Sequence, residues 1–486
     1  MNTFLLLASS IALFSIPFLN FHLFPLSWIF LVPIMCLIEK NKLSPFKLGL
    51  TFGTSSLLII TYWTPTTIVN LTGASWEISI ITHLIYCIYE SLFYVLIFSL
   101  IRISIKKIDS MWLKYLFIVF LYIIVEQNFP RIFPYKLGNS QIVFTEISQL
   151  ISIFGINIIS ILILLINISL YELLLKKNKK IGYFALATLL TAFTSGVIME
   201  KNLEHYEKKK TGIDIIVIQP VDSLERLVEI QERASKNLPK ADLTIWPESA
   251  LDKIILENNG DYNKFQKIFS KKFIFNSKSL LFGSIVKKRE GFYNGAILIN
   301  EESQITDLYL KNKLMIFGEY YPLKEIGSRI IPIYSSFISL NRGKIRPISL
   351  TKSSKIGIII CYEDLFEENS LKLTNMNAEL LVNLTNDKWY GESLASYQHL
   401  MLSIPRAIEN KRFLVRSTYN GISSIISPSG KLLKELGTNT RGYLARKVPL
   451  IKEQSFYSKY YSKINFIYYM IFFVILLLFI KEARKK

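Results

Sequence analysis

The chain has 486 residues, of which 51% are hydrophobic and 19% charged, and its mean hydropathy is +0.33. This is too apolar for an ordinary soluble protein and too charged for a bundle of membrane helices alone, so we predict a membrane part and a water-soluble part. Of the three cysteines, Cys36 and Cys87 lie in apolar runs. Cys361 therefore has no disulfide partner in the soluble part, and a disulfide framework is excluded.

The first 200 residues contain repeated apolar runs near the ~20 residues that a membrane helix needs. We predict a membrane domain of seven helices at 1–200, a soluble domain at 211–455 and an eighth transmembrane helix at 464–481. The first run lacks a small-residue cleavage site, so we interpret it as a retained span rather than a signal peptide. The predicted spans lie at about 3–19, 23–39, 45–63, 79–104, 111–128, 149–175, 181–199 and 465–480.

Basic residues predict the orientation of these spans. Clusters of Lys and Arg follow the second, fourth, sixth and eighth predicted spans, whereas the link at 64–78 has neither residue. Because cytoplasmic links carry the excess of Lys and Arg, we expect residues 200–463 on the opposite face, outside the inner membrane of a bacterium. Part of the formal net charge of +20 is then a topology signal, and no nucleic-acid partner is expected.

One external link differs from the others. Residues 126–141 read EQNFPRIFPYKLGNSQ, a Pro-bounded, aromatic and polar segment with Glu126 at its start. Such a segment could dip into the membrane surface and line a lipid or substrate cleft. It could equally be an ordinary loop with aromatic residues at the interface.

From about residue 211 the pattern changes to short apolar runs that alternate with polar, helix-like segments. Such interleaving predicts sheets covered by helices, and about 250 residues suffice for one domain. The predicted helices lie at 222–237, 261–273 and 393–411. The predicted strands lie at 214–219, 243–246, 280–285, 296–300, 356–360, 380–384, 413–418 and 423–427.

A lone thiol follows one of these strands. The run 356–360 must break at Cys361, which precedes Tyr362, Glu363 and Asp364. A cysteine at such a break is exposed at a sheet edge beside free backbone N–H groups, which is how a nucleophile is presented. The alternative is a small buried residue that finishes a core strand.

Two further segments carry groups that could serve such a thiol. Glu248 follows Trp246 and Pro247 at a predicted strand end, where an indole neighbour would raise the pKa of the carboxyl toward that of a useful base. Lys311 lies shortly before Glu319 and could stabilise an oxyanion. The structural alternatives are a carboxylate at a helix N-terminus and a solvated lysine.

Histidine is a weak candidate for the base. The soluble part has only His205, next to the membrane, and His399, in the helical pattern SYQHLML where a core or surface role is favoured. A Cys–Glu–Lys arrangement is what remains.

Together these segments resemble the site of the carbon–nitrogen hydrolase (nitrilase) superfamily, which uses a Glu, a Lys and a Cys in that chain order. The matching motifs are WPES with Glu248, Y-x-K-x-x-L with Lys311 and CYED with Cys361. The resemblance implies a nitrilase-like αββα four-layer sandwich that works without a cofactor, and the sequence shows no metal-ligand spacing. Further agreement comes from YNGAILIN, FGEYYP, NLTNDKWYG, RAIENKRFLVRSTYNG and SPSG.

The membrane context narrows the resemblance to the apolipoprotein N-acyltransferases, because soluble nitrilases have no such spans. The resemblance covers nearly the whole chain and implies a multi-pass, monomeric enzyme of the bacterial inner membrane with an extracytoplasmic catalytic domain. The implied reaction moves an acyl chain from a phospholipid, typically phosphatidylethanolamine, to a thioester on Cys361. The acyl chain then passes to the α-amine of the N-terminal diacylglyceryl cysteine of an apolipoprotein.

The resemblance also implies roles for neighbouring residues. The implied catalytic residues are Glu248, Lys311 and Cys361. The implied supporting residues are Glu319, Glu363 and Tyr362. The implied substrate-binding residues are Trp246, Trp389 and Tyr293. The chain departs from the family where Met315 and Ile316 stand in place of Val-Pro. It departs again where Gln219, Pro220 and Val221 replace a QGN-type segment and no tryptophan lies near Leu227. Acyl-chain and headgroup preferences are therefore not predicted.

Two other classes of protein compete with this hypothesis. One is a membrane-tethered amidase or nitrile hydrolase that uses the same three residues with water as the acceptor. The other is a non-enzymatic transporter or receptor with a degenerate domain. The intact Glu–Lys–Cys set and the scarcity of charged residues in most predicted spans argue against the second.

Overall fold

The computed structural model describes residues 2–221, 223–256, 263, 266, 277–321 and 339–485. The chain divides into two compact units. The helical unit comprises Met1–Asn202 and Lys459–Lys486, and the α/β unit comprises Leu203–Ser458.

The helical unit is built from apolar helices. Within the described residues, six helical stretches are long and apolar enough to cross a membrane: Phe21–Glu39, Trp76–Lys107, Met111–Asn128, Asn157–Leu175, Lys179–Lys208 and Phe456–Ala483. Two shorter apolar helices span Thr3–Leu19 and Pro45–Ile60. Each of the eight predicted spans falls on one of these eight segments. Short helices also span Thr64–Thr72, Thr145–Ser148 and Ile151–Phe154.

Two of the predicted spans are interrupted. The second consists of a 3-10 helix, Phe21–Trp28, followed by an α-helix, Leu31–Glu39. Pro25 lies inside the 3-10 helix and, as a proline, has no backbone N–H to donate. The sixth is broken at Gly155, whose φ of 74° is a conformation that glycine adopts without steric cost.

The link at 126–141 is packed inside the helical unit. All five residues of its 3-10 helix, Leu137–Gln141, are buried. Glu126 accepts hydrogen bonds from the backbone N–H of Leu137 at 2.7 Å and from the hydroxyl of Ser160 at 3.1 Å. These buried bonds favour insertion of the link among the helices over an ordinary surface loop.

The α/β unit contains thirteen strands within its described residues. They are β1 (Ile213–Gln219), β2 (Ala241–Ile245), β3 (Leu251–Ile255), β4 (Ser277–Lys288), β5 (Gly291–Asn300), β6 (Ile305–Leu310), β7 (Ile348–Ser349), β8 (Lys355–Ile360), β9 (Leu380–Thr385), β10 (Leu414–Thr418), β11 (Ser423–Ile426), β12 (Leu432–Leu436) and β13 (Gly442–Val448).

These strands form two mixed sheets. Sheet one has the order β13-β1-β2-β4-β5-β6, with β3 paired to β4, and sheet two has the order β12-β11-β10-β9-β8-β7. Strands β1, β2 and β4 are parallel, as are β8, β9 and β10. Parallel strands end at the same edge of a sheet, and these edges carry the residues discussed below.

The two sheets pack face to face, and helices cover their outer faces. Side chains from both sheets, such as Leu243 and Ile358, share one buried core. A second core lies between sheet one and the helix Leu224–Asn237. The helices Glu367–Asn375 and Ala395–Asn410 pack on sheet two. The arrangement confirms the predicted helix–sheet–sheet–helix sandwich.

Most of the predicted elements of this unit are present. Each of the eight predicted strands overlaps an observed one, and the predicted helices at 222–237 and 393–411 match Leu224–Asn237 and Ala395–Asn410. The predicted helix at 261–273 lies almost entirely outside the described residues. Strands β3, β6, β7, β12 and β13 were not predicted.

Candidate active site

Three reactive side chains follow the ends of strands in the two sheets. Glu248 follows β2 and Lys311 follows β6 in sheet one, whereas Cys361 follows β8 in sheet two. The Glu248 carboxylate lies 3.8 Å from the Lys311 ammonium, and both charges are near enough to Cys361 to shift the pKa of its thiol. The structure thus brings together the three residues that the motifs predicted as catalytic.

The nucleophile stands on a strained turn. Cys361 opens a 3-10 helix, Cys361–Leu365, which we call the Cys361 turn. Its φ is 48°, in the left-handed region that a residue with a side chain avoids. Such a conformation typically costs about 1–3 kcal/mol and persists only where the surrounding structure imposes it.

Glu248 has the environment of a general base. Its side chain is almost completely buried, and Asn294 Nδ2 donates to its Oε1 at 2.7 Å. Burial raises the pKa of the Glu248 carboxyl, and this effect outweighs the nearby Lys311 cation, which lowers the pKa. A raised pKa makes the carboxylate a stronger proton acceptor near neutral pH.

A glycine makes room for this carboxylate. A Cβ placed on Gly283 of β4 would lie 2.5 Å from the Cα of Glu248. No real Cβ approaches another atom so closely, so only glycine lets β4 pass beneath the residue without a shift of the backbone. Gly283 also donates its N–H to the carbonyl of Pro247 at 3.0 Å, which fixes the chain just before Glu248.

Lys311 is held as a buried cation. Its side chain is 1% exposed, and its ammonium lies 2.8 Å from Glu319. Burial would lower the pKa of Lys311, but the carboxylates of Glu319 and Glu248 outweigh it and raise that pKa. The lysine therefore stays protonated at working pH and can stabilise an oxyanion.

The Cys361 thiol is protonated at rest. Burial and the nearby carboxylate of Glu248 raise the pKa of Cys361 well above its usual value, against the opposing effect of Lys311. A thiolate is therefore formed only when Glu248 accepts the proton, which couples activation of the nucleophile to the base.

Glu363 ties the two sheets together beneath the site. It is fully buried and accepts hydrogen bonds from the backbone N–H groups of Ile360 and Asn312, each at 2.8 Å, and of Lys313 at 3.0 Å. The hydroxyl of Tyr309 donates to it at 2.9 Å. Ile360 precedes Cys361 and Asn312 follows Lys311, so one carboxylate fixes both chain segments.

The predicted substrate-binding residues fall in different places. Trp246 is fully buried in the core under the helix Leu224–Asn237, and its indole N–H donates to Gln231 at 3.2 Å. It therefore has a structural position and does not line a cleft. Tyr293 lies on the face of β5 opposite Asn294, because successive side chains of a strand alternate.

The other two predicted aromatic residues lie on the turns that follow β8 and β9. Trp389 is 40% exposed on the 3-10 helix Asp387–Tyr390, which we call the Trp389 turn. Tyr362 is buried in the Cys361 turn, and its ring packs edge-on against Phe366. Of the predicted aromatic residues, only Trp389 therefore offers a large exposed surface.

The comparisons with known proteins agree with this geometry. The family model of the carbon-nitrogen hydrolases matches residues 219–456, and that of the apolipoprotein N-acyltransferase N-terminal domain matches residues 10–169. Together they match about four fifths of the chain. The chain belongs to the apolipoprotein N-acyltransferase family.

Curated relatives in this family match most of the chain. An apolipoprotein N-acyltransferase of Geobacter metallireducens is 25% identical over 461 residues, which cover 90% of this chain and 87% of the relative. One of Wigglesworthia glossinidia brevipalpis is 27% identical and covers 84% of each chain. One of Rickettsia bellii is 27% identical, with 86% of this chain and 85% of the relative covered.

Solved structures resemble part of the chain. A Saccharomyces cerevisiae member of branch 10 of the nitrilase superfamily has a TM-score of 0.39 and 19% identity, over 51% of this chain and 93% of that protein. An amidase from Nesterenkonia sp. has a TM-score of 0.36 and 19% identity, over 50% of this chain and 93% of that protein.

Sequence reasoning missed two residues that contact the reactive groups of this family member. Asn294 lies between the carboxylates of Glu248 and Glu319 and donates to each at 2.7 Å. Thr385, at the end of β9, lies close enough to Cys361 to lower the pKa of its thiol, and its hydroxyl donates to Asp387 at 3.3 Å. Asn294 stands in the quoted segment YNGAILIN, but only the strand register shows which of its side chains faces the site. Within the described residues, no group of three or more His, Cys, Asp or Glu side chains could hold a metal ion.

Proposed function

We propose that this chain is a phospholipid:apolipoprotein N-acyltransferase that works through a thioester on Cys361. It transfers an acyl chain from a phospholipid to the α-amine of the N-terminal diacylglyceryl cysteine of an apolipoprotein, a step of lipoprotein maturation. The observation that carries the proposal is the cluster of Cys361 with the buried Glu248 and Lys311, on a chain whose N-terminal part matches the domain specific to this family.

In the first half-reaction the acyl chain moves to the enzyme. Glu248 accepts the proton of the Cys361 thiol, and the sulfur attacks the ester carbonyl carbon of the phospholipid. The ammonium of Lys311 and the backbone N–H of Tyr362 stabilise the oxyanion. The carbon–oxygen bond then breaks, Glu248 returns the proton to the departing glycerol oxygen, and a lysophospholipid leaves.

In the second half-reaction the acyl chain moves to the acceptor. Glu248 takes a proton from the incoming α-amine, whose nitrogen attacks the thioester carbonyl. A carbon–nitrogen bond forms, the carbon–sulfur bond breaks, and the thiol regains its proton. A covalent intermediate lets two bulky lipid substrates use one site in turn.

The finer assignments belong to the same proposal. The donor is phosphatidylethanolamine, the enzyme is a monomer, and residues 211–455 are the catalytic domain on the extracytoplasmic face of a bacterial inner membrane. The alternation of basic links supports this orientation. Glu319 and Glu363 act as supporting residues, and their contacts with Lys311 and with the segments beside it support these roles.

Intact-mass measurement of the purified protein with phosphatidylethanolamine in detergent micelles tests the first half-reaction. We expect one acyl adduct on the wild type and on a C36S/C87S variant, in which Cys361 is the only thiol, and none on C361A. Absence of an adduct from the wild type would contradict the acyl-enzyme scheme.

A diacylglyceryl peptide then tests the acceptor. Added to the isolated acyl-enzyme, it should discharge the adduct and become an N-acyl peptide. Discharge to free fatty acid at the same rate with and without the peptide would instead favour a membrane-tethered hydrolase that uses water.

A further inference from the structure

A second cluster of charged side chains lies beside the nucleophile and has no part in the mechanism above. Arg416 of β10 donates to Asp364 Oδ2 at 2.6 Å and to Asp387 Oδ2 at 3.2 Å. His399, from the helix Ala395–Asn410, places Nε2 3.0 Å from Asp364 Oδ1 and Nδ1 2.9 Å from Asp387 Oδ1. The four side chains form a closed ring in which cations and anions alternate, and all are at most 4% exposed.

The geometry fixes the protonation of His399. Both ring nitrogens face carboxylate oxygens, which accept hydrogen bonds and cannot donate when ionised. A neutral imidazole has one N–H and would leave one nitrogen lone pair against an anion, so the ring fits only as an imidazolium. Two cations then balance two anions. His399 is thus occupied on both sides and cannot serve as the base of Cys361.

The ring joins two turns that surround the nucleophile. Asp364 belongs to the Cys361 turn, and Asp387 opens the Trp389 turn. A Cβ on Gly421 would lie 2.1 Å from Asp387 Oδ2. The backbone at Gly421 therefore lies so close to this carboxylate that a larger residue would require a shift. The histidine and the arginine each contact both carboxylates and so link the two turns.

The ring also influences the thiol through its charge. Thr385, at the end of β9, donates its hydroxyl to Asp387 Oδ1 at 3.3 Å. In addition to burial and Glu248, the negative charge of Asp387 raises the pKa of Cys361, so a change in the charge or position of Asp387 alters the thiol electrostatically.

We propose that the His399 imidazolium is a positioning residue of the acyl-transfer reaction: it holds Asp364 and Asp387 in one charge-balanced ring and thereby fixes the Cys361 turn against the Trp389 turn. The proposal rests on the acyl-transfer function only for its assay. Wild-type acylation of Cys361 tests that function separately.

The ring has a predicted response to pH. Burial alone would lower the pKa of His399, but Asp364 and Asp387 outweigh both burial and Arg416 and raise it to about 9. Besides these three groups, the ring of Tyr390 faces the imidazole edge-on. Above this pKa the ring carries one excess negative charge close to the thiol, which opposes formation of a thiolate.

The test measures the rate of acyl-adduct formation from phosphatidylethanolamine, without amine acceptor, between pH 7 and pH 10. The variants are H399Q, which removes the cation, and D364N/H399Q, which removes one anion and one cation together. H22Q is the matched control, because His22 is an exposed histidine of the helical unit.

We expect the wild type and H22Q to lose activity as pH rises through about 9. H399Q should be about 10- to 100-fold slower at pH 7.5, as expected for a misplaced nucleophile. The double variant should recover most of that loss and lack the alkaline decline. Deprotonation of Cys361 at higher pH would increase the rate of acylation, so a rate that falls with rising pH cannot come from titration of the thiol.

Three results would overturn the proposal: H399Q within about twofold of wild type across the pH range, a double variant as slow as H399Q, or an alkaline decline that persists in the double variant. If H399Q does not fold, the D364N/H399Q variant alone tests the proposal. Its remaining pair, Arg416 and Asp387, has no net charge, so this variant must form the acyl adduct and must not lose activity at alkaline pH. A purely structural role would change thermal stability but would not move the pH profile.

Discussion

The side-chain amide of Asn294 donates to Glu248 Oε1 at 2.7 Å. The same amide nitrogen donates to Glu319 at 2.7 Å, so one residue separates the base from the partner of the catalytic lysine. Two carboxylates this close to one ammonium would otherwise compete for it. The amide lets Glu319 hold Lys311 while Glu248 stays oriented toward the thiol.

We expect N294A to reduce the rate of Cys361 acylation about 10- to 100-fold, because the base loses its orienting donor and the two carboxylates repel each other. The decrease should appear in kcat rather than KM, since Asn294 is not expected to touch the lipid. N300A on the same strand is the control and should match the wild type. A kcat of N294A within threefold of wild type would remove Asn294 from the site.

E363Q should impair both stability and acylation. Glu363 accepts hydrogen bonds from three backbone N–H groups, and the amide nitrogen of a glutamine would point a second donor at one of them. We expect the free energy of unfolding to fall by about 3 kcal/mol. A drop of about 10 °C in the thermal midpoint of the α/β unit is expected. E368Q, at an exposed position of the next helix, should change neither quantity.

Removal of the Lys311 cation should have two separable effects. K311M should slow adduct formation about 10²–10³-fold, because an oxyanion donor is lost. Lys311 also lowers the pKa of Glu248, so its loss should raise that pKa and move the pH of half-maximal residual acylation upward. K236M, on the exposed face of the helix Leu224–Asn237, is the control. If the residual acylation by K311M is half-maximal at the same pH as that of the wild type, the coupling between Lys311 and Glu248 is contradicted.

G283A should displace the base without removing it. The new methyl group would lie 2.5 Å from the Cα of Glu248, so the backbone must shift at a cost of about 1–3 kcal/mol. We expect acylation to fall at least about tenfold while the protein still folds. G437A adds a methyl group whose nearest neighbour is 3.7 Å away, and it should behave as the wild type.

Stability should depend on pH through His399. Its pKa in the folded protein is about 9, above its ordinary value of 6.5, so its stabilising contribution is complete below about 6.5 and is lost as pH rises through about 9. The thermal midpoint of the wild type should therefore fall between pH 7 and pH 10, and that of D364N/H399Q should fall less. Parallel curves for the two proteins would show that His399 does not titrate in this range.

The predicted strands were those with uninterrupted apolar runs, which lie toward the middle of the sheets. Among the described residues, the strands that the sequence pattern missed include the end strands of both sheet orders, β6, β7, β12 and β13. Edge strands carry charged residues on their solvent side, as in LLKEL and GYLARKV, and so lose the continuous apolar signal. Their absence from the prediction follows from the same physics that keeps them from aggregating.

The site shows a similar division. Glu248, Lys311 and Cys361 stand in short motifs that can be found along the chain, and the structure brings them together. Asn294 and Thr385 depend on strand register, which motifs do not encode. Trp246 is adjacent to Glu248 in the motif WPES, yet its indole packs in the core under the helix Leu224–Asn237, because a motif does not specify the face of the sheet that each side chain occupies.

The base and the lysine belong to sheet one, whereas the nucleophile belongs to sheet two. A chain that has formed only its first sheet has a carboxylate and an ammonium but no thiol beside them, and a solitary Cys361 turn has a thiol of ordinary reactivity. The chemical hazard of an activated cysteine therefore exists only after the sandwich has closed.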